Sequence, residues 1–147
     1  MADGRTERSK RLKIKLDEGA ILPTRAHDTD AGLDIYSPVR RVIHPRTRVV
    51  IDTGVHIELP PNTVGFLKSK SGLMCKHGLV SEGVVDEGYT GSIAVCMFNH
   101  SDEMYIVEKG DKISQLVVQP CVYVPVEIVD EISGGERGQS GFGSTGR

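Results

Sequence analysis

The feature that most constrains this chain is its punctuation. From Leu12 onward, Gly, Pro, Asn and Asp break the sequence about every ten residues into short runs rich in Val and Ile. β-Branched side chains suit a pleated, half-buried surface, and no run sustains the apolar period of a long helix. An all-β domain follows, because βαβ alternation needs helical stretches between strands. Strand candidates fall at 12–16, 49–51, 55–59, 64–67, 92–98, 105–107 and 113–118. In 92–98 both alternating sets, Ile93, Val95, Met97 and Ala94, Cys96, Phe98, are apolar or small, which predicts a strand buried on both faces. Pro60 and Pro61 cannot donate ladder hydrogen bonds, so 59–62 reads as a loop, as does Gly110-Asp111. One short helix is expected over 69–76, with a serine capping its first turn.

A chain of 147 residues supports one domain with tails. Its net charge of -2 and pI near 6.2 give no field for wrapping nucleic acid, so no nucleic-acid partner is expected. Cys75, Cys96 and Cys121 lie too far apart for a close-spaced metal pair and read as buried free thiols. No apolar leader or membrane-length run is present, and an intracellular, cytoplasmic protein without a membrane partner is expected. Residues 1–11 are polar without periodicity and read as a disordered arm, with Asp3 and Glu7 arguing against a mitochondrial presequence. The folded domain is expected over 12–132. Residues 133–147 are glycine-rich around one aromatic, Phe142, and predict a flexible C-terminal arm.

Several segments carry groups suited to a nucleotide. Lys68, Lys70, Lys76 and His77 surround a Ser71-Gly72 pair, and cations, free amides and a hydroxyl suit phosphate oxygens. Asp34 and Asp86 have the chemistry to hold hydrated magnesium or to activate water, though either taken singly reads first as a solvated loop acid. Gln115 interrupts an apolar strand pattern, so its amide must find partners. In the arm, glycines let backbone approach an anion, Ser144 and Thr145 offer hydroxyls, and Phe142 offers a ring to stack on a base.

In order and content these segments resemble the five motifs of the trimeric dUTPase family: AGLDIYS, KSKSGL, EGVVDEGYTG, KGDKISQLV and RGQSGFGSTG. The third and fifth are the most specific, and their joint occurrence in the family's order carries the resemblance. It implies a jelly-roll-like β-barrel, assembled as a homotrimer whose active sites are shared between chains. It further implies hydrolysis of dUTP to dUMP and pyrophosphate with Mg2+, which limits uracil incorporation into DNA and supplies dUMP for thymidylate synthesis.

By the same resemblance, Asp34 binds magnesium through its water shell, and Ser71 and Gly72 contact the phosphates with Lys70. Gly83, Val84 and Val85 read the uracil edge. Asp86 holds the 3′-hydroxyl and activates the attacking water, and Tyr89 closes under the deoxyribose so that a 2′-hydroxyl has no room. Gln115 helps to place the water or the α-phosphate. Arg137, Phe142, Gly143, Ser144 and Thr145 form a lid, the ring stacking on uracil. One departure stands out: the family's second motif usually has Arg where this chain has Lys70, which keeps the charge and loses the bidentate fork.

Two alternatives compete. The dCTP deaminases share the subunit fold, but their deaminating glutamate falls where this chain has Cys96, which cannot do a carboxylate's acid-base work at neutral pH. A non-catalytic trimeric β module would bind nucleotide without turnover, yet Asp34, Asp86, Tyr89 and the Phe142 arm all argue for catalysis.

Overall fold

The computed structural model describes residues 10–146, so residues 1–9 of the expected N-terminal arm lie outside the described residues. Among the described residues, ten strands and one helix follow in chain order: β1 (Lys13–Leu16), β2 (Gly32–Tyr36), β3 (Arg41–Ile43), β4 (Arg48–Glu58), β5 (Thr63–Lys68), α1 (Ser71–His77), β6 (Leu79–Ser81), β7 (Gly83–Val85), β8 (Ser92–Asn99), β9 (Tyr105–Val107) and β10 (Lys112–Pro120). They form two four-stranded sheets, β1-β4-β8-β6 and β2-β10-β5-β7, with β3-β9 as a small pair. Every pairing is antiparallel, and distant strands lie side by side, as a jelly-roll-like arrangement requires.

Period-two alternation explains the core. Along β4, Ile51, Thr53, Val55 and Ile57 point inward while the intervening residues stay at least partly exposed. Ile51, Val55 and Ile57 join Ile35, Leu67, Ile93, Met97, Ile113 and Leu116 from both large sheets in one cluster. Fully burying such an aliphatic side chain contributes about 1.5–3 kcal/mol. The one polar member of that β4 row, Thr53, is satisfied, donating to Ile93 O at 2.6 Å.

The separate candidates 49–51 and 55–59 are largely one strand. The register against β8 shifts between Asp52 and His56, and Gly54, at φ +67, supplies the left-handed conformation of this bulge. A single interruption in the ladder therefore reads as a break in the sequence. Strands β2, β3, β6 and β7 lie outside the candidate runs, and three of these four have only three residues.

Other expectations are corrected. β8 is buried on one face only: Ile93, Val95 and Met97 face the core, whereas Ala94 and Cys96 are exposed in this chain. Apolar composition on both faces does not by itself supply a second layer. The thiols are not buried, since Cys75 and Cys96 are exposed and Cys121 is intermediate. α1 has Lys70 at its N-cap with no side-chain cap bond. Ser69 instead ties the chain to β6, donating to Ser81 O at 3.1 Å and accepting from Ser81 N at 3.0 Å. The helix stops at Gly78, whose left-handed conformation returns its N–H to Leu73 O and Met74 O.

The last strand ends at Pro120, and residues 121–146 add no strand or helix. Val122, Val124, Val126, Ile128 and Ile132 are exposed along this stretch. Among the described residues, no helix is long and apolar enough to cross a membrane.

Candidate functional site

Strand pairing gathers three of the motif segments. Asp34, in the middle of β2, lies opposite Gln115 on β10, and Gln115 in turn lies opposite Lys68 on β5. Asp34 is a buried strand residue, 5% exposed, and not a solvated loop acid. Its Oδ1 accepts from Lys70 Nζ at 2.5 Å, and its Oδ2 is paired with Lys112 Nζ at 2.9 Å. Burial on its own would raise the Asp34 pKa, but the two lysine hydrogen bonds outweigh it and hold the carboxyl below its usual range. Lys112 was not among the expected site residues. It stands beside a register shift in β10, which hides the face its side chain takes.

Gln115 finds its partner in Ser69 O, to which Nε2 donates at 3.0 Å. Its other end crowds Gly32, where an added Cβ would lie 2.3 Å from Oε1. Nearby, Lys68 pairs with Glu82 at 2.9 Å, and Ser114 Oγ donates to Lys68 O at 3.1 Å. Ser71 and Gly72 open α1 on the exposed side of this cluster, and a Cβ at Gly72 would meet nothing within 4 Å.

The second group surrounds β7, which among the described residues is an edge strand paired only with β5. Its outer backbone groups are therefore free to bond a planar ligand edge-on. Gly83, Val85, Asp86 and Tyr89 line a pocket there with Leu67 and Cys96. Val84 is exposed and Val85 buried, so successive side chains leave the free backbone edge accessible. Beyond β7, Tyr89 N bonds Asp86 O at 3.0 Å, closing the turn. The Tyr89 hydroxyl donates to Ser92 O at 2.9 Å, and its ring lies where a Cβ on Gly91 would stand, 2.5 Å from the oxygen.

The arm forms a third group. Arg137 donates from Nε to Ser140 O at 2.9 Å, and Ser144 N bonds Gly141 O at 2.9 Å. Phe142 is fully exposed, and Gly143 has φ +76. Among the described residues, no hydrogen bond or ion pair joins 133–146 to the rest of the chain. One chain thus brings Asp34, Lys70 and Gln115 together and sets Gly83, Val85, Asp86 and Tyr89 around a second pocket, while leaving the arm residues apart from both.

Asp34 is the acid to test against magnesium. Each of its oxygens already accepts one ammonium hydrogen bond, which leaves lone pairs for water protons but makes it a poor direct ligand. That fits a hydrated ion held through water. Among the described residues, no three His, Cys, Asp or Glu side chains cluster as a cage, and Mg2+ commonly takes most of its oxygen ligands from water and substrate phosphates.

The dUTPase family model matches residues 18–146. The chain belongs to the dUTPase family. It is 46% identical over 139 residues to the deoxyuridine 5'-triphosphate nucleotidohydrolase of Clostridium acetobutylicum, covering 92% of this chain and 96% of that one. The corresponding protein of Gloeothece citriformis is 44% identical over 140 residues, covering 92% and 97%. Among solved dUTPases, a mutant from Staphylococcus bacteriophage 80alpha with dUpNHpp superposes at TM-score 0.87 and 34% identity, over 93% of this chain and 99% of that chain. A mutant dUTPase from phage phi11 of S. aureus, whose structure concerns coordination of a structural Mg(II) ion, gives 0.77 and 32% over 82% and 97%. The jelly-roll-like β fold of the dUTPases is the fold of this chain.

Proposed function

We propose that this chain hydrolyses dUTP to dUMP and pyrophosphate by water attack on the α-phosphate, so limiting uracil in DNA and supplying dUMP for thymidylate synthesis. The observation that carries this reading is the single pocket in which the free edge of β7 meets Asp86 and Tyr89.

The backbone of 83–85 bonds the polar edge of uracil, and Tyr89 under the sugar excludes a ribose 2′-hydroxyl. Lys70, Ser71 and Gly72 receive phosphate oxygens. Asp86 takes a proton from water as its oxygen bonds the α-phosphorus; the bond to the bridging oxygen breaks and pyrophosphate leaves with its electron pair. Gln115 orients water or the α-phosphate. A positioned base of this kind contributes about a hundredfold to ten-thousandfold. Asp34 would hold Mg2+ through water, and the ion, when bound, neutralises charge on the leaving phosphates.

The arm 133–147 acts as a lid over the barrel, Phe142 stacking on uracil while Arg137, Gly143, Ser144 and Thr145 bind the outer phosphates and exclude water. Since those residues make no hydrogen bond to their own barrel, a homotrimer with sites shared between chains completes the arrangement. Cys96, a thiol in the same pocket, gives no support to deaminase chemistry.

Product analysis with dUTP, UTP, dCTP and dTTP, with and without magnesium, tests the reading. Magnesium-dependent pyrophosphate and dUMP from dUTP alone are expected. Equal turnover of UTP, or ammonia release from dCTP, would overturn it.

A further inference from the structure

The loop 86–91, between β7 and β8, carries both Asp86 and Tyr89. Among the described residues, its hydrogen bonds to the rest of the chain run through two anchors besides its stem at Ser92. On one side Glu87 accepts from Asn62 N at 3.1 Å and from the Tyr123 hydroxyl at 2.5 Å. On the other, Thr90 O is bonded to His56 Nδ1 at 2.7 Å, while His56 Nε2 meets Asp17 Oδ2 at 2.9 Å.

The second anchor has a chemical requirement. A carbonyl oxygen and a carboxylate are both acceptors, so both ring nitrogens of His56 must donate, which only the imidazolium can do. A neutral ring makes one bond or the other. His56 is also well placed to transmit this to Tyr89. It sits opposite Ser92 in the β4–β8 register, and Ser92 O receives the Tyr89 hydroxyl. Asp17 is itself fixed, its N–H bonded to Gly54 O at 2.9 Å.

We propose that His56, as the imidazolium, is a positioning residue that fixes the loop bearing Asp86 and Tyr89, and that its deprotonation loosens the loop and weakens discrimination between deoxyribose and ribose. This rests on the function proposed above. The charged groups facing the ring are Asp17 beyond β1, Lys15 opposite it on β1, and Asp52 on β4, with Lys13 and Glu58 paired farther along the same edge. The bond to Thr90 O, then the one to Asp17, raises the His56 pKa above its ordinary value against desolvation and the weaker opposing push of Lys15. The clamp is therefore complete below about pH 6.5 and is lost as pH rises through the elevated value. The Glu87 anchor does not share this range, because its tyrosine partner is pushed up to about 12 by the bond to Glu87.

The test compares wild type, His56→Gln and Asp17→Asn between pH 6 and 9. In wild type the dUTP-over-UTP ratio of kcat/KM falls about tenfold as His56 deprotonates, less than the roughly hundredfold that a 1 Å misplacement can cost. His56→Gln, which cannot ionise, gives a flat and lower ratio, and Asp17→Asn moves the midpoint to lower pH. In NMR titrations of the wild type, the Tyr89 ring follows the His56 midpoint. A wild-type ratio that is constant through that midpoint, or a Tyr89 signal that ignores it, overturns the inference. If wild type fails to hydrolyse dUTP, the functional reading falls, while the His56–Tyr89 titration still decides the loop device. That measurement needs no variant.

Discussion

Lys70 and Asp34 lie 36 residues apart in the chain and meet at 2.5 Å, joining the residue that opens α1 to the middle of β2. With Lys112 on the other carboxylate oxygen, one buried acid ties α1, β2 and the start of β10 into a single electrostatic unit. Both lysines retain water contact, with 28% and 47% side-chain exposure, so the unit stands between a surface pair and a fully buried one.

Asp34→Asn should lower stability by about 2 kcal/mol, less than the ~3–5 kcal/mol for breaking a fully buried pair. Because the folded Asp34 pKa is depressed, its contribution is present above the unfolded carboxyl pKa and fades as pH falls through the folded value. Urea melts of both proteins should therefore differ at pH 7 and converge below about pH 4. A constant gap across that range would remove Asp34 from the account.

Asp86→Asn should cut kcat by about a hundredfold or more, while a non-hydrolysable dUTP analogue still binds with magnesium. The amide keeps the shape and loses the base. Near-normal pyrophosphate release from this variant would end the assignment of Asp86 as base.

Gly91→Ala should act on Tyr89 alone. Its new Cβ would lie 2.5 Å from the phenol oxygen and 2.9 Å from Cε2, so the ring must swing aside. Tyr89 is 47% exposed and has room to do so, which limits the stability change to about 0.5 kcal/mol. Competition kinetics should show weaker rejection of UTP, in the direction of Tyr89→Ala. Unchanged preference in both variants would mean that another residue sorts the sugar.

Deleting everything after Ser133 should leave melting temperature and oligomeric state unchanged, because among the described residues 134–146 make no hydrogen bond to the barrel. Turnover should collapse. Phe142→Trp supplies a probe in a chain without Trp, and its emission should change with the dUTP analogue and magnesium but little with a dCTP analogue. A fully active truncation would reduce the arm to a tail.

Apolar, β-branched runs longer than a turn made the long strands legible, and in β8 the period-two alternation is complete, with Ile93, Val95 and Met97 buried in turn. Such patterning could not mark β3, β6 or β7, where three residues hold too little alternation to stand out. Among the residues proposed for the site, Gln115 was visible because an amide breaks an apolar run, and Asp86 and Tyr89 because they share one specific motif. Lys112 and His56 were not. What matters about each is a partner 34 or more residues away in the chain, and no local pattern encodes such a distance.

The lack of anchorage in the arm also bears on how the protein is handled. Arg137 is exposed in a segment without strand or helix, the kind of site that trypsin-like proteases cut first. One cut there would release Gly138 onward, taking Phe142, Gly143, Ser144 and Thr145, while the barrel keeps its core and its melting point. A preparation can thus lose the proposed lid and pass every test of folding, so intact mass, not thermal stability, is the measure of a sample fit for assay.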